Sequence, residues 1–283
     1  MLYCLDTYTI RDKGCIGRCC LVDNLDQKIR IAKAAGFDAV EIWDDDVKDF
    51  LDTHSQAELR ELLDGLTVPS YKVLELYTNL CYGPDPDSTL YRAAICGAAS
   101  VVTVLVRDAF DRETPTLQDV LSQFQYIAHK ADRYGITLGL EFMANSPCYN
   151  TLADAVTVVR ALEHPLARVV LDSFHIWKTG DNQFKQFAQD VDRLQLEPSL
   201  VSVVHLTDTC FEVPQAEQRD RDRRMPGTGQ LNLVEFVRIL HRIGYTGALS
   251  LGVYDKQLWD QDPAVVAVNG IQAMKAITKA ACQ

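Results

Sequence analysis

Eight short apolar, β-branched runs recur along the chain, each followed by a stretch with helical periodicity: Leu2–Tyr8, Ala39–Trp43, Ser70–Leu76, Val101–Val106, Thr137–Met143, Val169–Phe174, Val201–Leu206 and Ala248–Tyr254. Runs that are apolar throughout suit strands covered on both faces, and strand–helix alternation is the pattern of parallel βα units. Eight such units predict an α/β chain closed into a (β/α)8 TIM barrel. The predicted helices are Leu25–Ala35, Gln56–Gly65, Ser88–Gly97, Thr116–Tyr134, Leu152–Glu163, Gln183–Leu194, Leu233–Ile243 and Pro263–Ala281. Glycine stands at several helix exits, as in Gly36-Phe37, Gly135-Ile136 and Gly244-Tyr245, where a left-handed cap is needed. A doubly wound open sheet would carry a glycine-rich phosphate loop after an early strand, and the sequence has none.

At 283 residues the chain suits one barrel domain over residues 1–283, and 47% hydrophobic residues supply one large core. With 28 Lys+Arg against 39 Asp+Glu the formal charge is -11, so the average field repels nucleic acid and acidic membranes, and neither is an expected partner. No apolar run reaches membrane-span length, and the start Met1-Leu2-Tyr3-Cys4-Leu5-Asp6 lacks the basic and apolar regions of a secretory signal. A cytoplasmic setting is expected. The 9 cysteines are an odd number without a repeated CxxC pair, as expected of reduced thiols. Cys15, Cys19 and Cys20 read as small residues of a first-turn loop rather than a metal site.

In a parallel barrel, polar side chains near the C-terminal ends of strands face the mouth where catalysis occurs. Three predicted strands end this way, in Gly139-Leu140-Glu141-Phe142, Val170-Leu171-Asp172-Ser173 and Val203-Val204-His205-Leu206. Alone, each acid would be read as paired with Lys or Arg, and the histidine as satisfied by a backbone carbonyl. Together, at equivalent positions of consecutive strands and among large apolar neighbours, they suit a shared cation that relieves their desolvation. Two carboxylates and one imidazole fit Mn2+, Mg2+, Co2+ or Zn2+ rather than a thiol-seeking metal. Glu141, Asp172 and His205 are therefore the expected ligands of one divalent ion.

The chain resembles the sugar phosphate isomerase/epimerase-like barrels, also called xylose isomerase-like or AP endonuclease family 2 barrels. The resemblance spans nearly the whole chain. It is strongest in Gly36–Trp43, Leu140-Glu141-Phe142, Leu171–Gly180, Val204–Asp208 and Asp220–Gly229. It implies the same three metal ligands and adds His175 and Arg223 as substrate contacts. Arg223, in the long charged loop Thr209–Gly229, could clamp a carboxylate, phosphate or enediolate oxygen. Tyr8, Trp43, Tyr77, Trp177 and Tyr254 are expected near the mouth, where they could stack on a sugar ring. A dimer or tetramer would fit the resemblance, though no exposed heptad or apolar stripe in the sequence marks a homo-oligomer.

One departure matters. Where the family places a last glutamate on strand eight, this chain reads Leu249-Ser250-Leu251-Gly252-Val253-Tyr254. Either water or substrate fills that position, or Asp255 reaches in, or the protein is a catalytically impaired sugar-binding relative. With one carboxylate missing, a single base, His175 or alternatively Glu141, suits ketose–aldose interconversion or elimination of water better than inversion of a stereocentre. The resemblance thus implies an isomerase or epimerase acting through an enediolate on a small sugar, sugar phosphate or related polyhydroxy carbonyl compound. Its alternative is a dehydratase like those acting on 3-dehydroshikimate. An endonuclease on abasic DNA would need many histidine ligands, and the chain has 6 His, of which His54, His129, His164 and His241 fall in helices or loops.

Overall fold

The computed structural model describes residues 1–11, 24–72, 86–105 and 115–283. Strands β1 (Leu2–Asp6), β2 (Ala39–Trp43), β3 (Tyr71–Lys72), β4 (Ser100–Val104), β5 (Thr137–Glu141), β6 (Ala167–Asp172) and β7 (Val201–Leu206) follow the expected order. A two-stranded antiparallel pair, β8 (Asp208–Thr209) and β9 (Arg223–Arg224), intervenes before β10 (Ala248–Leu251). The eight parallel strands close in the order β1-β10-β7-β6-β5-β4-β3-β2, so the chain is a (β/α)8 barrel.

Strand parity explains where the site stands. Cys4, Ala39, Val102, Val170, Val203 and Ala248 form a small buried cluster of their own, separate from the large core. Side chains two positions apart share a face of a strand. The same parity therefore carries Asp6, Glu41, Asp172, His205 and Ser250 to the level above this apolar floor. Helices α1 (Leu25–Ala35), α3 (Gln56–Leu63), α4 (Pro86–Ile95), α5 (Leu117–Asp132), α6 (Leu152–Ala161), α8 (Lys185–Arg193), α9 (Leu233–Arg242) and α10 (Pro263–Ala281) lie at the expected places. Reciprocal capping boxes start three of them, at Ser55 with Glu58, Thr116 with Asp119, and Thr151 with Asp154. Such a cap contributes about 1 kcal/mol each. Gly36 closes α1 at φ 85°, in the left-handed region.

Two of the differences from expectation share a cause. Strand one was expected to reach Tyr8 but ends at Asp6, whose Oδ1 accepts the Tyr8 amide at 2.8 Å and begins a 3-10 turn over Thr7–Ile10. Strand six was expected to reach Phe174 but ends at Asp172, whose Oδ1 accepts the amides of Phe174 and His175 at 2.7 and 3.2 Å. That cap starts an unexpected helix, α7 (Ser173–Lys178). An aspartate closing an apolar run turns the chain as well as ending the strand. A further unexpected helix, α2 (Asp44–Leu51), follows β2 directly with three aspartates in its first turn, where they complement the helix dipole. Tyr77, Cys15, Cys19, Cys20 and most of the expected third strand lie outside the described residues. Among the described residues, no helix is long and apolar enough to cross a membrane.

Candidate active site at the barrel mouth

Sheet register brings the expected ligands together: Asp172 of β6 lies opposite His205 of β7, and Ser250 of β10 lies opposite His205 on its other side. His205 is the hub. Its Nδ1 is 2.9 Å from Glu141 Oε1 and 3.4 Å from Asp172 Oδ2, while its Nε2 is 3.1 Å from Glu41 Oε1. Glu41 is in turn held by Ser70 Oγ at 2.6 Å, Ser250 Oγ at 2.8 Å and Lys72 Nζ at 3.5 Å. All of these residues are buried.

This arrangement fits a divalent ion. Cis ligands about 2.1 Å from a metal lie roughly 3.0–3.4 Å apart, the scale of the separations around Nδ1. A ligating histidine commonly donates its other ring N–H to a carboxylate, which fixes the tautomer, and Glu41 stands where that partner is needed. Among the described residues, the trio whose ligand atoms all lie within 4.8 Å of one another is Glu141, Asp172 and His175, which shares both carboxylates with the expected set.

The charges of the centre also satisfy one another. Burial alone would lift Glu41 and Glu141, but the Lys72 and His205 cations hold both carboxyls below their usual range. Burial likewise opposes ionisation of Asp172, yet the Arg223 cation foremost, with His205, holds it well below. For His205, burial and Lys72 disfavour the cation, but Glu41 and Glu141 overcome them and raise its pKa well above the ordinary value. The surrounding carboxylates thus favour the imidazolium form of His205.

Arg223 comes from the β8/β9 pair, not from a barrel strand. Its Nη1 donates to Asp172 Oδ2 at 2.8 Å, its Nε to Asp220 Oδ1 at 2.9 Å, and its Nη2 to His175 Nε2 at 3.3 Å. Because a guanidinium only donates, His175 Nε2 is an acceptor, and the neutral imidazole carries its proton on Nδ1. That Nδ1 is buried and has no hydrogen-bond partner among the described residues. Burial, ahead of the opposing Asp172 charge, lowers the His175 pKa and keeps the ring neutral.

Asp208 fastens the strap that carries Arg223. Its Oδ1 accepts the amides of Thr209 at 2.8 Å and Leu231 at 3.0 Å, and its Oδ2 those of Gly227 and Gly229, each at 3.0 Å. A Cβ at Gly229 would overlap Asp208 Oδ1 and the Thr209 carbonyl oxygen, so the close approach requires glycine there.

A second polar cluster forms the wall beside Gly252. Lys72 Nζ lies 3.1 Å from Asp6 Oδ2 and 3.0 Å from the Tyr254 hydroxyl, which donates to Asp6 Oδ2 at 2.9 Å. Trp43 Nε1 donates to Asp6 Oδ1 at 2.8 Å. A Cβ at Gly252 would make only ordinary contacts, 3.7 Å from Asp6 Oδ2 and 3.7 Å from the Tyr254 hydroxyl. No steric demand explains the glycine. Asp255 does not reach in: it pairs with Arg224 at 3.3 Å and caps the Gln257 amide at 2.9 Å.

These groups border a cavity of about 520 Å³ at the mouth, whose lining includes Glu141, His175, Arg223, Trp43, Tyr8 and Tyr254. Trp177, expected as a sugar contact, does not line it; that ring is buried, stacked on Phe211 at 5.6 Å and packed against Phe174 at 5.7 Å. On helix α7 it points away while His175 points in. Sequence reasoning missed Glu41, Lys72 and Asp6 as parts of the centre. Asp6 and Glu41 did leave a signal, since each is the lone charge of an otherwise apolar predicted strand.

The description "Xylose isomerase-like TIM barrel" matches residues 29–277. The chain belongs to that family. Inosose isomerase of Halalkalibacterium halodurans is 31% identical over 137 residues, an aligned stretch that spans 48% of this chain and 45% of the relative. Inosose isomerase of Bacillus velezensis is 24% identical over 274 residues, 91% of each chain. The 3-dehydroshikimate dehydratase of Pseudomonas putida is 23% identical over 243 residues, 83% of this chain but 37% of the relative. Among solved structures, that of the IOLI protein with a bound zinc atom superposes with a TM-score of 0.81 at 19% identity, covering 99% of this chain and 98% of the other.

Proposed function

We propose that the protein is a divalent-metal-dependent isomerase or epimerase of a small polyhydroxy carbonyl compound, its ion held by Glu141, Asp172 and His205. The carrying observation is the geometry of His205, with Nδ1 turned to Glu141 and Asp172 and Nε2 turned to Glu41. Membership of an enzyme family, with inosose isomerases among the relatives, supports the same reading. The protein is an enzyme.

When bound, the ion supplies Lewis acidity that lowers the cost of removing a proton beside a carbonyl. The protein's own groups do the rest. His175, expected from sequence as the base, carries its proton on Nδ1 and is better suited to donate a hydrogen bond to a substrate oxygen. Proton abstraction falls to the Glu141 carboxylate, which also faces the cavity. Arg223 holds Asp172 in place, and the Trp43 and Tyr8 rings give the substrate an apolar wall.

A second reading, elimination of water from a related substrate, is favoured by Gly252: the wall opposite offers no further inward carboxylate from β10 for a two-base inversion. The dehydratase relatives accord with it. Treatment with EDTA should abolish turnover of inososes and ketoses, and Mn2+, Co2+, Mg2+ or Zn2+ should restore it. Turnover that persists after complete metal depletion refutes the proposal. Release of protocatechuate from 3-dehydroshikimate, without any ketose turnover, would decide for the dehydratase.

A further inference from the structure

The charges around the mouth cavity are unevenly compensated. Its inner cations are neutralised, Lys72 by Asp6 and Glu41, and Arg223 by Asp172 and Asp220. The outer rim differs. Arg219, Arg221 and Lys256 line the same cavity, are exposed, and have no carboxylate within ion-pair distance among the described residues. The Arg219 guanidinium donates only to the backbone carbonyls of Ala216 and Gln218, at 3.1 and 2.9 Å. In a chain of net charge -11, three unneutralised cations at one opening run against the overall composition. At the inner end, the buried His175 Nδ1 is a polar atom without a partner among the described residues.

We propose that the substrate is an anion: a polyhydroxy carbonyl compound bearing a carboxylate or phosphate, which Arg219, Arg221 and Lys256 hold at the rim while its carbonyl end faces Glu141 and His175. This rests on the reading of the mouth as a polyhydroxy carbonyl site and adds a charged substrate class to it. The two ends of the cavity then have distinct tasks. Rim cations attract and orient by charge, through interactions that salt screens, whereas the buried inner groups act by direct hydrogen bonding. A neutral ring of similar size would leave the rim cations hydrated and gain nothing from them.

Equilibrium binding tests this without turnover. D-glucitol, D-gluconate and D-glucitol 6-phosphate share a polyol chain and differ in charge. Titrated calorimetrically into the metal-loaded full chain at low salt, one or both anions should bind about tenfold more tightly than glucitol. That preference should shrink in 0.5 M NaCl, used here as roughly three times physiological ionic strength, and in the joint Arg221→Ala, Lys256→Ala variant. Which anion prevails identifies the carboxylate or the phosphate as the source. Equal affinity for all three, no binding of either anion, or a preference that survives the joint substitution overturns the proposal. If the preference is found but the loaded enzyme converts no carbonyl compound, the isomerase reading fails and the anion site stands.

Discussion

Glu41 touches none of the expected ligands except His205, yet the geometry makes it the residue that decides which nitrogen of His205 is available. Glu41→Gln keeps the shape of the side chain and can keep its bonds to Ser70 and Ser250, which lie at 2.6 and 2.8 Å. It removes the negative charge 3.1 Å from His205 Nε2 and 3.5 Å from Lys72 Nζ. Loss of an outer partner of a ligating histidine typically weakens metal binding about 10–100-fold, or roughly 1.4–2.7 kcal/mol. The fold should suffer less than from an unpaired buried charge, because Lys72 keeps Asp6 at 3.1 Å. A loss of about 2 kcal/mol, or roughly 5 °C in Tm, is expected. Competitive metal titration and thermal unfolding of the apo protein measure the two effects separately. If Glu41→Gln binds the ion within twofold of the wild type while Asp172→Asn abolishes binding, Glu41 does not set the tautomer and the account of the centre is wrong.

Other consequences can be measured directly. Gly229→Ala should loosen the strap, lowering Tm and activity together, since a methyl there overlaps Asp208 and the Thr209 carbonyl; a variant as stable and active as wild type would contradict this packing. Gly252→Ala should fold and melt as the wild type, given contacts no closer than 3.7 Å, and Gly252→Glu should tighten metal binding. An unchanged titration would mean that position 252 does not face the centre. Glu41, Glu141 and Asp172 have folded pKa values below their unfolded ones, so their stabilising effect is present above about pH 4 and lost as pH falls further. His205 has the opposite sign: its contribution is complete below its ordinary 6.5 and disappears only as pH rises through its higher folded value. Apo-protein Tm should therefore fall from about pH 5 downward, more gently in Asp172→Asn. A flat acid limb in the wild type would refute this.

The barrel was legible because its signal is repeated: each of eight runs needs burial on both faces, and a closed parallel sheet supplies it. That Glu141, Asp172 and His205 come together was legible because they stand at or next to the ends of consecutive strands with the same parity. Gly252 was legible as a departure, but whether it was sterically required depends on space that only the fold defines. The tautomer of His175 was hidden, since it follows from Arg223, 48 residues away along the chain. Trp177 misled because Asp172 caps a helix that the sequence reading did not expect, and helical geometry turns a side chain two positions beyond His175 to another face. Lys72 and Asp6 escaped notice because their meaning lies in each other: 66 residues apart, they neutralise one another at 3.1 Å.

The Asp208 knot separates two parts of the opening that could change at different rates. Four amides bind the base of the strap to one carboxylate, while Glu212 and Pro214–Glu217 are exposed beyond it. Insertions or deletions in that outer turn need not disturb Arg223, whose position is set by the β8/β9 pairing beneath. New partners for the molecule could be sampled at the tip while the reacting groups stay where they are.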